Sequence, residues 1–142
     1  MKIISDDFKH NELLGAKFCY RKGNVSPHIK WVDAPTDTKS FAISCNDPDA
    51  PVGDWIHWLV CNIPPDINEI PQGGPVPGTE LKNDYGQKGY GGPAPPFGTH
   101  RYFFRVFALN TEKLEDINKR NFMQKVKEHT IDSAELMGLC EA

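Results

Sequence analysis

Prolines and glycines crowd into one stretch of this sequence. Residues 64–98 carry eight of the 12 prolines and eight of the 12 glycines, and the other positions of the 142-residue chain carry four of each. Proline fixes φ and lacks an N–H, and glycine gives up the most backbone entropy inside a regular element. No long helix and no central strand can run through such a stretch, so a mostly helical protein is excluded. What remains is a β-rich domain in which one long segment joins two strands. Ordinary hairpin loops have about two to five residues, and a loop as long as 64–98 needs a purpose. Tyr85, Tyr90 and Phe97 give it apolar anchors, and its prolines restrict the chain before folding. The expectation is a segment laid over the domain, lining something.

The flanking sequence supplies the sheet. Residues 39–46 alternate, with Phe41, Ile43 and Cys45 on one face and Ser40, Ala42 and Ser44 on the other. Residues 55–63 are apolar on both faces, as in a central strand, and 101–109 are rich in aromatic and β-branched residues. Weaker strands are expected near 2–4, 16–20, 28–32 and 134–140. Residues 116–129 read as the best helix, with Ile117, Phe122, Met123 and Val126 as a partial apolar stripe. Together these predict one domain over 1–142: mainly β, an antiparallel β sandwich with one or two peripheral helices.

Charge and termini narrow the function. With 16 basic and 19 acidic residues the net charge is −3, and no basic patch stands out, which argues against nucleic acid. Lys119, Arg120, Lys125 and Lys127 read as a solvated helix face. The first residues lack the apolar stretch of a signal peptide, and no run is long enough for a membrane span, so a cytoplasmic location is expected. Cys19, Cys45, Cys61 and Cys140 show no C-x-x-C spacing and are expected to be thiols, with Cys45 and Cys61 acting as small buried hydrophobes.

Polar residues that interrupt the strand patterns are the informative ones. Asp47-Pro48-Asp49 follows the 39–46 strand, and a period of two places both carboxylates in phase with Cys45. Alone, the motif also reads as an ordinary turn. His57 shares a face with Trp55, and His100 shares one with Tyr102; alone, His57 reads more readily as a satisfied core residue and His100 reads either way. Taken together, two carboxylates and two imidazoles beside aromatic and proline-rich sequence describe a dry polar site. Carboxylates would orient the imidazoles, Tyr102 would add a donor and Trp55 a wall, a combination suited to a zwitterionic or phosphorylated small group. Asp47, Asp49, His57 and His100 are also an acceptable metal-ligand set, as in a metal-dependent hydrolase, although no familiar metal motif is present. No nucleophile elbow, P-loop or dinucleotide fingerprint occurs, so a non-enzymatic role without a cofactor is expected. A tight loop near a site is where cis proline is used, at Ala50-Pro51 or within 93–96.

These segments resemble the phosphatidylethanolamine-binding protein family. The resemblance rests on Asn24-Val25-Ser26-Pro27-His28-Ile29-Lys30-Trp31, Asp47-Pro48-Asp49-Ala50-Pro51, Trp55-Ile56-His57-Trp58, Gly91-Gly92-Pro93-Ala94-Pro95-Pro96 and Gly98-Thr99-His100-Arg101-Tyr102. It spans about residues 2 to 140 and looks like the short bacterial and archaeal branch. It implies a β sandwich with a small pocket for phosphate, a phosphoethanolamine-like head group or another anion. By motif, Asp47, Asp49, Trp55, His57, Pro96, His100 and Tyr102 would line that pocket, with Ala94 and Pro95 at its rim. Some family members inhibit kinases or serine proteases, and loop 64–98 would then be the contact surface; bacterial relatives of this type look like homodimers. This chain has only Val52, Gly53 and Asp54 between Pro51 and Trp55, and it ends in a strand-like segment where eukaryotic members have a helix. Both differences imply a more open pocket.

Overall fold

The three strong apolar runs become neighbours in one sheet. The computed structural model describes the whole chain, Met1–Ala142. In chain order its elements are β1 (Lys2–Ile4), β2 (Glu12–Leu13), β3 (Ile29–Val32), β4 (Ser40–Asp47), β5 (Trp55–Ile63), β6 (Glu69–Ile70), β7 (Thr79–Glu80), β8 (Thr99–Leu109), α1 (Phe122–His129) and β9 (Thr130–Glu141). The larger sheet has the order β2-β9-β8-β4-β5-β7, and a smaller one has β1-β3-β6. All pairings are antiparallel except that of β2 with β9.

Two cores hold the layers together. Ile3, Ile29 and Trp31 of the small sheet face Phe41, Ile43, Trp58, Val60, Phe104 and Val106 of the large one. On the far side of the large sheet, Ala42, Leu59, Cys61, Phe107 and Leu109 are covered by Leu114 and by Phe122 and Val126 of α1. The small face of β4 is therefore buried too: Ser40 is 1% exposed and donates to the Thr111 carbonyl at 2.6 Å. Burying each large apolar side chain here stabilises the fold by about 1.5–3 kcal/mol.

Two expected elements differ. The helix begins at Phe122 rather than 116. Asn118 Oδ1 accepts from the backbone N–H of Arg120 and Asn121, and Asn121 Oδ1 accepts from that of Asn118. Asparagine side chains that capture local N–H groups compete with the helix, so a turn occupies 118–121, and Lys119 and Arg120 sit before the helix. Residues 16–20 form no strand; a 3-10 turn over Ala16–Phe18 buries Phe18 instead.

The proline- and glycine-rich stretch is laid along the sandwich. It contributes β6 to the small sheet and β7 to the edge of β5. Beyond β7 it keeps bonding to that edge, with the N–H groups of Leu81, Asp84 and Gly91 donating to the carbonyls of Leu59, Ile56 and His57. An edge that would otherwise expose unpaired groups is thereby closed. Gly92 is required by contact, since a Cβ there would collide with the Phe18 carbonyl oxygen. The one cis peptide bond is Gly74–Pro75, so Ala50–Pro51 and the 93–96 run are trans, contrary to expectation.

Candidate functional site

The site forms where β4, β5 and β8 end together and the long stretch crosses them. A cavity of about 270 Å³ is lined by Asp47, Trp55, His57, Ala94, Pro95, Pro96, His100 and Tyr102, joined by Arg21, Ala50, Pro51, Val52 and Tyr85. Eight of the nine residues picked from the sequence are therefore in one place. A second groove, of about 570 Å³, carries Lys82, Lys88, Lys119 and Arg120. Its Lys119 is engaged by Asp84 at 2.7 Å, and Asn83 is the one buried polar side chain in its lining.

Strand period explains β4 and β8. Asp47 continues the inward face of Cys45 and is 3% exposed; His100 and Tyr102 alternate with outward Arg101 on β8 and are 4% and 1% exposed. His57 arrives differently. Cys45 stands opposite Trp58 and Asn46 opposite Ile56, which leaves His57 as the extra residue of a β-bulge. The bulge resets the alternation: Ile56, Leu59 and Cys61 face the helix side, whereas Trp58 and Val60 face the larger core and His57 faces the cavity. Bulges re-aim side chains in this way beside functional sites.

Hydrogen bonds fix both imidazoles. His100 Nδ1 donates to Asp47 Oδ2 at 2.8 Å, and Asp47 Oδ1 accepts the N–H of Asp49 at 2.7 Å. His57 Nδ1 donates to the Gly91 carbonyl at 2.6 Å. Burial lowers the His57 pKa below the usual histidine value, the Gly91 carbonyl opposing this only in part. His57 is thus neutral near pH 7 with its proton on Nδ1, and its Nε2 is an acceptor. Burial first, and the Asp47 carboxylate second, keep the Tyr102 hydroxyl protonated.

Aromatic contacts build the walls. His57 meets Tyr102 edge-on at 5.1 Å and Tyr85 at 5.8 Å, and Trp55 meets Tyr85 at 5.5 Å. Tyr85 stacks on Tyr20 at 4.0 Å and donates its hydroxyl to the Gly92 carbonyl at 2.8 Å. Its phenol is pushed up to about 12, chiefly by burial. Asn83, fully buried, holds this wall: its side chain donates to the Gly89 carbonyl and accepts from the N–H of Tyr85 and Gln87. Exposed Val52 and Phe97 stand close by, Val52 in the lining and Phe97 edge-on to His100 at 6.2 Å.

Asp49 does not line the cavity. The strand ends at Asp47, whose side chain caps the N–H two residues on, and this turn breaks the period of two. Asp49 instead makes a two-pronged pair with Arg101, at 2.8 and 2.9 Å, and also accepts the Arg101 N–H. That pairing, chiefly the side-chain hydrogen bonds, lowers its pKa to about 2. The four-residue metal set therefore does not converge, and no group of three or more His, Cys, Asp or Glu side chains is arranged to hold a metal ion. Arg21 was missed by sequence reasoning because it sits in an irregular polar loop with no pattern around it. Tyr85 was visible as an anchor but not as a wall.

Comparison with known proteins agrees with this fold. The phosphatidylethanolamine-binding protein family matches residues 4–141, so the chain belongs to that family, a family of binding proteins. It is 40% identical to a UPF0098 protein of Methanothermobacter thermautotrophicus, over 98% of this chain and 97% of that one. It is 42% identical to the UPF0098 protein YbhB of Escherichia coli, over 81% and 82% of the two chains. The crystal structure of Escherichia coli YbcL, described as a new member of the mammalian PEBP family, superposes with a TM-score of 0.93 at 32% identity, covering 99% of this chain and 98% of that one. No helix is long and apolar enough to cross a membrane.

Proposed function

We propose that the cavity binds a small phosphorylated or otherwise anionic group, and that the protein acts by binding rather than by catalysis. The observation that carries this reading is the buried pair of His100 and Asp47 at the cavity floor. Asp47 spends both oxygens on His100 Nδ1 and the Asp49 N–H, so both its acceptors are satisfied from within the protein. Arg21 is the one formal cation of the lining and Tyr102 adds a hydroxyl donor, while His100 Nε2 has no protein partner. Across from them, neutral His57 presents an acceptor. Donors facing an acceptor suit a group that is both anionic and able to donate, such as a phosphate monoester bearing P–OH or a head group bearing an ammonium. No serine, threonine or cysteine lines the cavity, so it holds no hydroxyl or thiol of the usual nucleophilic type.

Titration of the isotope-labelled protein with inorganic phosphate and with phosphoethanolamine tests this reading. The imidazole resonances of His57 and His100 are expected to move with saturable curves. Unmoved imidazoles at saturating phosphate would remove the basis of the assignment.

A further inference from the structure

We propose that Cys19 and Cys140 form a reversible intramolecular disulfide. Their sulfurs lie 3.4 Å apart, although the residues are 121 positions apart in the chain. Neither position belongs to a spacing motif, so only the fold brings them together. Both are thiols in this structure. A disulfide bond of about 2.05 Å requires the sulfurs to approach by little more than one ångström, and Cys19 lies in irregular chain just after the 3-10 turn, where such a shift disturbs no sheet ladder.

The surroundings assign distinct roles to the two thiols. Cys19 is partly exposed and reachable by a reagent in solution, and Cys140 is 6% exposed. Burial and the neighbouring Cys19 sulfur push the Cys140 thiol up to about 12, so it is inert toward solvent until its partner has reacted. Cys45 and Cys61 cannot compete. Each is at most 1% exposed, and they lie in different cores on opposite faces of the large sheet.

The oxidant is a small-molecule disulfide. The Cys19 thiolate attacks one sulfur of that reagent, breaking its S–S bond and releasing one small thiol, which leaves a mixed disulfide on Cys19. Cys140 then loses its proton to solvent, attacks the Cys19 sulfur and expels the second small thiol. The two protein thiols lose two electrons and two protons, and the reagent is reduced to two thiols.

The bond would join two walls of the cavity. Cys19 immediately precedes Tyr20 and Arg21, and the Tyr20 N–H donates to the Pro93 carbonyl at 2.9 Å. Cys140 stands directly opposite His100 in the β8–β9 ladder. Oxidation would thus tie the segment that carries Arg21 to the strand that carries His100. It would also close nearly the whole chain into one loop, and disulfides that close long loops constrain the unfolded chain most.

The test equilibrates the full chain with reduced and oxidised glutathione in varying ratio, followed by alkylation, peptide mapping and thermal melting. The expected product lacks two hydrogens and yields one cross-linked peptide pair containing Cys19 and Cys140. It melts on the order of 10 °C above the reduced protein and reverts with excess reduced thiol. Cys140→Ser is expected to stop at a glutathione adduct on Cys19, with no rise in melting temperature. If Cys140→Ser fails to fold, Cys19→Ser, at the more exposed position, is expected to show neither adduct nor bond. Three results would overturn the proposal: wild-type protein that halts at the Cys19 adduct, thiols that all remain free under oxidising buffer, or a cross-link involving Cys45 or Cys61.

Discussion

His100 Nδ1 and Asp47 Oδ2 lie 2.8 Å apart, and their side chains are only 5% and 4% exposed. A buried carboxylate in this position both anchors the imidazole and sets which nitrogen carries the proton. Replacing Asp47 by Asn keeps the shape but exchanges a charge-assisted hydrogen bond to His100 Nδ1 for a weaker neutral one, so the imidazole is held less firmly. Asp47→Asn is expected to weaken phosphate binding about tenfold, or about 1.4 kcal/mol, measured by calorimetry. Asp47→Ala leaves the His100 Nδ1–H and the Asp49 N–H without their partner and is expected to destabilise the fold by about 3 kcal/mol in denaturant titrations.

His57 gives a pH signature. Its folded pKa is depressed by burial, whereas the unfolded chain titrates near the ordinary value of about 6.5. Above that value both states are neutral and the group contributes no pH dependence. As pH falls below it, the unfolded chain takes up a proton that the folded state refuses, so stability declines. Wild-type protein is expected to lose melting temperature between pH 7 and 5 more steeply than His57→Gln. Nitrogen chemical shifts at pH 7 are expected to show the Nδ1–H tautomer; an Nε2–H tautomer would contradict the bond to the Gly91 carbonyl.

Asp49 and Arg101 make the opposite kind of statement. The carboxyl of Asp49 is held down to about 2, chiefly by its hydrogen bonds to Arg101. Its stabilising contribution is complete above the unfolded pKa, about 3.9, and is lost as pH falls toward 2. The melting-temperature gap between wild type and Asp49→Asn is therefore expected to be constant above pH 4 and to close below it. Phosphate affinity at neutral pH is expected to change less than threefold (about 0.6 kcal/mol), because Asp49 lies outside the cavity.

Asn83 carries the wall that no motif announced. It is fully buried, and its side chain bonds to Gly89, Tyr85 and Gln87. Asn83→Ala leaves one buried carbonyl and two N–H groups without partners and is expected to cost about 2–3 kcal/mol. Tyr85 loses its backbone anchor in that variant, so fluorescence from Trp55, which it meets edge-on, is expected to report a more solvated site.

The sequence made β4, β5 and β8 legible because their apolar runs are long and uninterrupted by glycine or proline. Asp47, His100 and Tyr102 could be placed by a period of two, since the strands stay regular up to them. The period misled where local side chains intervened. The Asp47 cap turned Asp49 toward Arg101, and Asn118 with Asn121 shortened the helix. His57 reached the cavity through a bulge, which the alternation of 55–63 does not reveal. Arg21 and Asn83 depend on contacts between distant segments, for which no spacing in the chain gives a signal. The proline and glycine excess did mark the right stretch, and its expected laying-down over the domain is seen along the β5 edge.

The proposed function requires an anion between His57 and His100. Histidine side-chain resonances followed during titration with inorganic phosphate test it most directly, with Asp47→Asn as the comparison. Saturable shifts of both imidazoles in the wild type, with a midpoint about ten times higher in Asp47→Asn, are the predicted result. Shifts confined to the groove of Lys82, Lys88, Lys119 and Arg120, with both imidazoles unmoved, would contradict it.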